Sequence, residues 1–330
     1  MKQCITKKEN VMKQVFILLC SLCLSLSSMG QQRMQVVIDN DFAGDPDGLF
    51  ALAQLMTSTS VDVKCIIGSH LHEKENWAES GKPSATTAVK EVKNLQKIMG
   101  KSWSTKIVQG SNVAMSDSLK PVLSDGAKAI VEAAMACDSR NPLYVLCGGG
   151  LTEIASAWLL NPEIAERCIV VWIGGEEYPG MMKAPGDKPE YNTTIDVEAA
   201  KVVFNRSNLR IWQVPRNAYR QCLISYPILE RRLKGNPIGE YLMEKISYHV
   251  GNGKDSECYV LGDSPLVLLS ALQSNWERDP ASSVYSIHAC PKVNEKGRFV
   301  FGDEGRKIRV YDRLDTYLMF EDMFAKIGNK

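Results

Sequence analysis

The chain has 330 residues, of which 45% are hydrophobic, 23% charged and 8% aromatic, a globular balance that excludes a disordered chain, a collagen-like repeat and a coiled coil. Lys plus Arg number 39 and Asp plus Glu 38, a net charge of +1, without the basic excess that binding a nucleic acid polymer demands. Ten cysteines spread over this length exclude a small disulfide scaffold, and the length suits one large α/β domain or two smaller ones.

The first element in chain order is a leader. Residues 15–25 read VFILLCSLCLS, preceded by Lys2, Lys7, Lys8 and Lys13 and followed by Ser28-Met29-Gly30. A basic start, a short apolar run and small residues at a cleavage point make a secretory signal peptide. A membrane anchor is the alternative, but the run is too short to span a bilayer comfortably. The expectation is a signal peptide over residues 1–30 and one mature domain over 31–330. The mature protein would be secreted, periplasmic and free of the membrane. Removing the leader takes four Lys and one Glu, which turns the net charge from +1 to −2. Seven cysteines remain, at 65, 137, 147, 168, 222, 258 and 290. None forms a CxxC pair, which argues against zinc, and runs such as Val63-Lys64-Cys65-Ile66-Ile67 read as buried core thiols.

Strands and helices then alternate. Met34–Ile38 is a β-branched run ending at Asp39, and Gly48–Met56 carries apolar residues at helical spacing. Strands are expected over 61–67, 106–108, 142–147, 168–173 and 210–214. Helices are expected over 85–99, 126–136, 151–160 and 197–204. This order implies an α/β fold, a mostly parallel central sheet with helices on both faces. No internal repeat or linker interrupts it. Beyond Asn275 the pattern weakens to turns, a short strand at 298–301 and a last helix over 315–327, with Asp303, Glu304 and Arg306 in a solvated polar turn.

Ligands in such folds bind at the carboxyl ends of the strands. The first strand ends in Asp39-Asn40-Asp41-Phe42-Ala43-Gly44-Asp45-Pro46-Asp47, four carboxylates in nine residues. Like charges this close raise one another's pKa, and a bound cation removes the penalty. Oxygen ligands without His point to calcium or magnesium. The plainer reading is an exposed acidic turn that caps the next helix. Two further strand ends are Cys147-Gly148-Gly149-Gly150-Leu151-Thr152, a glycine turn, and Gly262-Asp263-Ser264-Pro265, a lone Asp before an apolar run.

These pieces together resemble the inosine–uridine-preferring nucleoside hydrolases. The stretch from Val36 to Leu55 is similar to that family's opening strand, Asp-x-Asp-x-x-x-Asp-Asp and helix. Gly149–Ala155 resembles its Gly-x-Leu-Thr-Asn-Ile-Ala turn, and Asn161-Pro162-Glu163-Ile164 and Val171–Gly175 follow in order. Glu190–Ala200 resembles its Glu-Phe-Asn-x-x-x-Asp-Pro-Glu-Ala-Ala segment, and Asp263 stands at its last metal ligand. The likeness covers roughly residues 35–275 and implies a nucleoside hydrolase-like open α/β fold. It also implies calcium-dependent hydrolysis of the N-glycosidic bond of ribonucleosides, and assembly as a homo-oligomer. By position, Asp41 would be the general base and a ligand of one calcium ion. Asp47, Asp263 and the Gly148 carbonyl would be further ligands. Glu190 and Asn192 would bind the sugar hydroxyls.

The chain departs from the family pattern in places. Pro46 splits the adjacent Asp pair, so either Asp45 or Asp47 supplies the second metal carboxylate. Asp47 is favoured by the helix register after it, which leaves Asp45 to contact sugar or support the loop. The family's Gly-Asn after strand two is Gly68-Ser69, and the His that precedes the last Asp in some members is Gly262. Leaving-group activation by that route is lost. The loop from Ser69 to Trp77 holds His70 and His72. It reads either as a lid placing Ser69, His70 and Trp77 on the substrate or as a polar surface loop. Tyr178, Tyr219 and Arg220 are further candidates for the base pocket. Three other readings compete: a haloacid-dehalogenase-like phosphatase, a non-catalytic secreted binder of nucleosides or sugars, and a hydrolase of another N-riboside such as nicotinamide riboside. The phosphatase reading fails because Asp39-Asn40-Asp41-Phe42-Ala43 lacks the Thr that usually follows, and it leaves four sequence blocks unexplained.

Overall fold

The computed structural model describes residues 33–75, 83–100, 103–183, 186–250, 256–274 and 282–328. The expected signal peptide, Trp77 and the boundary at residue 31 lie outside the described residues. Residues from Met34 onward form one unit. Its strands are β1 (Met34–Asn40), β2 (Val61–Gly68), β3 (Lys106–Gln109), β4 (Leu143–Cys147), β5 (Cys168–Ile173), β6 (Arg210–Val214), β7 (Leu223–Ser225), β8 (Cys258–Val260), β9 (Val284–Ala289), β10 (Lys292–Val293), β11 (Phe299–Val300) and β12 (Lys307–Arg313).

Eight of these form one sheet in the order β3-β2-β1-β4-β5-β6-β12-β9, parallel except for the antiparallel pair β12 and β9. Strands buried on both faces read as unbroken apolar runs, which is why β1, β4 and β5 stand out in the sequence. The two-residue repeat sends Val36, Ile38, Leu146 and Val171 into one core layer. Val37, Val145, Val170 and Trp172 go into the other. A fully buried Leu, Ile or Phe contributes about 1.5–3 kcal/mol, so these two layers hold the sheet between its helices.

The chain leaves β1 toward β2 on one side and returns to β4 on the other, so β1 marks a topological switch point. Asp39 pairs with Cys147 there, and the Gly148 N–H donates to the Asp39 carbonyl (3.0 Å). The ends of β1 and β4 are thereby locked side by side. The helix Asp47–Met56 is buried from Gly48 to Leu55. It comes so close to β1 that a Cβ on Gly48 would sit 2.8 Å from the Asn40 side chain.

The elements up to β6 follow the sequence reading within a residue or two, with one exception. The helix from Val197 ends at Lys201 and continues as a wider π turn over Val202–Arg206. Asn205 is tied there by two hydrogen bonds to the Val293 backbone. The helix Pro237–Val250, the antiparallel pair of β7 and β8, and strands β9 and β12 were not legible in the sequence. Arg306 corrects the expectation of a solvated turn: its guanidinium is half-buried and donates to the carbonyls of Leu209 and Val203. All seven cysteines among the described residues are free thiols, five of them buried. No helix among the described residues is long and apolar enough to cross a membrane.

Candidate active site

A cavity of about 330 Å³ opens at the switch point, lined by Asp41, Asp45, Asp47, Gly148, Glu190, Asn192 and Asp263 among others. Three distant segments meet in it. The Asn40 amide donates to Asp263 Oδ2 (2.8 Å), and the Asp263 N–H donates to Asp47 Oδ2 (3.1 Å). Gly148 fits between them, because a Cβ there would lie 2.1 Å from Asn40 Nδ2 and 2.6 Å from Asp263 Oδ2. Asn40 is a site residue that the sequence reading missed; its only signal was its place between two aspartates.

The structure sends Asp45 and Asp47 different ways. Asp47 faces Asp263, whereas Asp45 Oδ1 accepts from the Tyr259 hydroxyl (2.6 Å) and the Asp47 N–H (3.1 Å). Pro46 leads straight into the helix without a side-chain cap, so the turn places the two carboxylates on different partners. Asp45 lines the same cavity and its charge reaches Asp263, while its own hydrogen bonds go to Tyr259 and the Asp47 N–H.

Electrostatics concentrate on these acids. Burial, and then the neighbouring Asp45, push the Asp41 carboxyl up to about 7. Burial raises Asp47 well above the carboxylate range, with Asp263, Asp45 and Asp41 adding to the shift. Burial also raises Asp263 strongly, with Asp41 adding. Asp45 is raised by burial, against the lowering effects of Tyr259 and His249.

The donor chemistry fits a hard cation. Asp41, Asp47, Asp263 and the Gly148 carbonyl offer only oxygen. Asn40 Oδ1 is buried beside them without a hydrogen-bond partner. Among the described residues no three His, Cys, Asp or Glu side chains group to hold a metal unaided; the set here includes a backbone carbonyl.

The far wall comes from the segment after β5. Glu190 caps the helix Tyr191–Ile195. Its two oxygens also take hydrogen bonds from the Gly175 N–H, the Thr193 hydroxyl and the Tyr219 hydroxyl. The Asn192 amide donates both hydrogens, to the carbonyls of Gly148 (3.1 Å) and Ile173 (2.8 Å).

Other expected residues lie elsewhere. Ser69 and His70 are buried and do not line this cavity. The His70 Nδ1 faces the Leu71 carbonyl (2.9 Å) and Nε2 faces the Thr152 hydroxyl (2.9 Å), which donates to Asp196 (2.6 Å). A lid role for His70 is corrected by this inward bonding; the ring borders a different cavity, of about 370 Å³. Tyr178 is likewise corrected: it is buried and donates to Gln213 Oε1 (2.7 Å). Tyr219 and Arg220 do line the site, and so do Tyr191 and His249, which the sequence reading did not single out.

Comparison with known proteins agrees with this geometry. Residues 36–317 match the model of the inosine-uridine preferring nucleoside hydrolase family. A curated inosine-uridine preferring nucleoside hydrolase of Crithidia fasciculata is 37% identical over 107 residues, 31% of each chain. A probable ribonucleoside hydrolase of Dictyostelium discoideum is 32% identical over 92 residues, 28% of this chain and 26% of that protein. The chain thus matches under a third of the length of these curated relatives. Among solved structures, the plant nucleoside hydrolase PpNRh1 superposes with a TM-score of 0.70 at 16% identity, covering 91% of this chain and 100% of that one. A purine-preferring ribonucleoside hydrolase from Gardnerella vaginalis gives 0.68 at 17% identity, covering 89% and 98%. At such identities the superpositions establish the α/β fold.

Proposed function

Because the chain belongs to the inosine-uridine preferring nucleoside hydrolase family, we propose that it is a calcium-dependent N-ribohydrolase that splits ribonucleosides into ribose and free base. The observation that carries this is the meeting of Asp41, Asp47, Asp263 and the Gly148 carbonyl in one cavity with Asn192 and Glu190. A calcium ion held by those four oxygen donors would supply the charge that offsets the clustered carboxylates and acidifies water beside Asp41.

The remaining work falls to the side chains. Asp41 takes the proton of the attacking water as general base. The Asn192 side chain, fixed by its two amide bonds to the Gly148 and Ile173 carbonyls, accepts from a sugar hydroxyl through its oxygen. Glu190 is a fixed acceptor wall that sets the start of the Asn192 helix. Departure of the base leaves an oxocarbenium-like sugar, next to the carboxylates that favour positive charge. The leader supports a periplasmic location and a part in nucleoside salvage.

The test is a ribose-release assay on protein from Gln31 onward. Inosine, uridine, adenosine, cytidine and nicotinamide riboside are each supplied with calcium or with a chelator. Calcium-dependent release that Asp41→Ala abolishes is the expected result. Bound calcium without release from any substrate would instead mark a binding protein.

A further inference from the structure

We propose that His249, on the helix Pro237–Val250, delivers the proton to the departing base. This inference rests on the N-ribohydrolase reading above. A nucleobase leaves carrying the electron pair of the glycosidic bond, and a positioned acid that neutralises it is worth about 10²–10⁴ in rate. The chain has no side chain for this before Asp263, where Gly262 stands. A Cβ on Gly262 would lie 3.2 Å from Asp47 Oδ2 and 3.6 Å from the Tyr219 ring, so this bare position faces the cavity.

Elimination among the described lining residues leaves one donor. The phenols of Tyr191 and Tyr219 donate to Glu75 and Glu190, and burial lifts both above the ordinary phenol range. The guanidinium of Arg220 does not give up a proton in a protein. Asp41, Asp47 and Asp263 belong to the acidic cluster, and Asp45 and Glu190 accept hydrogen bonds from the groups around them. His249 lines the cavity, and imidazole is the side-chain type that exchanges protons near neutrality.

The surroundings hold that ring in place. His249 Nε2 lies 3.9 Å from Asp45 Oδ2, and the ring stands edge-on to Tyr259, with centroids 6.4 Å apart at 84°. Tyr259 in turn donates to the other Asp45 oxygen. Asp45, held by Tyr259 on one oxygen and facing His249 with the other, thereby becomes the positioning residue of the acid. In the step itself the C1′–N bond breaks and its electron pair goes to the base. The imidazolium N–H passes its proton to that base. The water oxygen bonds to C1′ and its proton goes to Asp41. Solvent then returns a proton to His249 and takes one from Asp41.

The experiment compares the wild type with His249→Gln and His249→Ala on two leaving groups. Inosine and uridine need protonation of the base; 4-nitrophenyl β-D-ribofuranoside releases a phenolate that needs none. A kcat loss of about 100-fold on the nucleosides, much larger than any loss on the nitrophenyl riboside, is the expected result. The nitrophenyl rate also reports that the variants fold. Equal losses on both substrates, or no loss on either, would overturn the assignment. So would a wild type that cleaves only the nitrophenyl riboside. A wild type that cleaves neither fails the N-ribohydrolase reading itself, before the variants are compared. Tyr259→Phe, which releases Asp45, is expected to shift the same ratio of rates less strongly.

Discussion

The backbone N–H of Asp263 donates to the carboxylate of Asp47 across 216 residues of sequence. This bond joins the turn after β1 to the segment after β8. With the Asn40 amide on the Asp263 side chain, it gathers carboxylates that repel one another. The fold holds them there because Asn40, Asp41 and Asp47 sit at the end of a largely buried strand and the start of a largely buried helix.

Calcium is expected to raise the melting temperature of the protein. A ligand that binds only the folded state at 100 times its Kd stabilises by about 2.7 kcal/mol. Asp47→Asn and Asp263→Asn should each abolish the calcium-induced shift while leaving the chelated protein folded. Differential scanning calorimetry with calcium and with chelator decides; an undiminished shift in both variants would remove these residues from the ligand set.

The pH dependence of the chelated protein follows from Asp41. Its carboxyl is pushed up to about 7 in the folded chain, so the folded state holds a proton that the unfolded chain releases near its ordinary value. Stability without calcium is therefore greatest at acid pH and declines as pH rises toward 7. Urea unfolding at pH 5 and pH 7.5 should show this decline in chelator and its reversal by calcium. A chelated protein more stable at the higher pH would contradict it.

Gly148→Ala would place a methyl group 2.1 Å from Asn40 Nδ2 and 2.6 Å from Asp263 Oδ2. Overpacking of this kind costs about 1–3 kcal/mol, and the displaced groups border the proposed cation site. Calcium affinity measured by isothermal titration is expected to fall at least as sharply as stability. Native affinity in a destabilised variant would show that Gly148 only fills space.

Tyr178→Phe tests the opposite kind of residue. Its hydroxyl bonds to Gln213 inside the core, away from the cavity. Losing one such bond is expected to cost about 1 kcal/mol of stability and to leave KM for nucleosides unchanged. A raised KM would return Tyr178 to the base pocket.

The parallel half of the sheet was legible because strands buried on both faces must be apolar throughout, as Cys168–Ile173 is. Strand β12 was not: Lys307–Arg313 alternates charged and apolar residues near the sheet edge, where one side of the strand stays wet. The helix Pro237–Val250 buries only Gly239, Leu242 and Ile246, too sparse a stripe to stand out. Asp41, Glu190 and Asn192 were legible as local patterns, each next to the element that carries it.

The sequence by itself determined the αβ alternation, the acidic end of β1 and the family. All three depend on spacing between neighbours, which follows from the periods of strand and helix. Only the tertiary structure decided that the Asp263 N–H bonds to Asp47, that His70 turns inward to Thr152, and that His249 reaches the cavity. Those facts depend on which distant segments close against one another, and residue spacing within a segment carries no record of that closure.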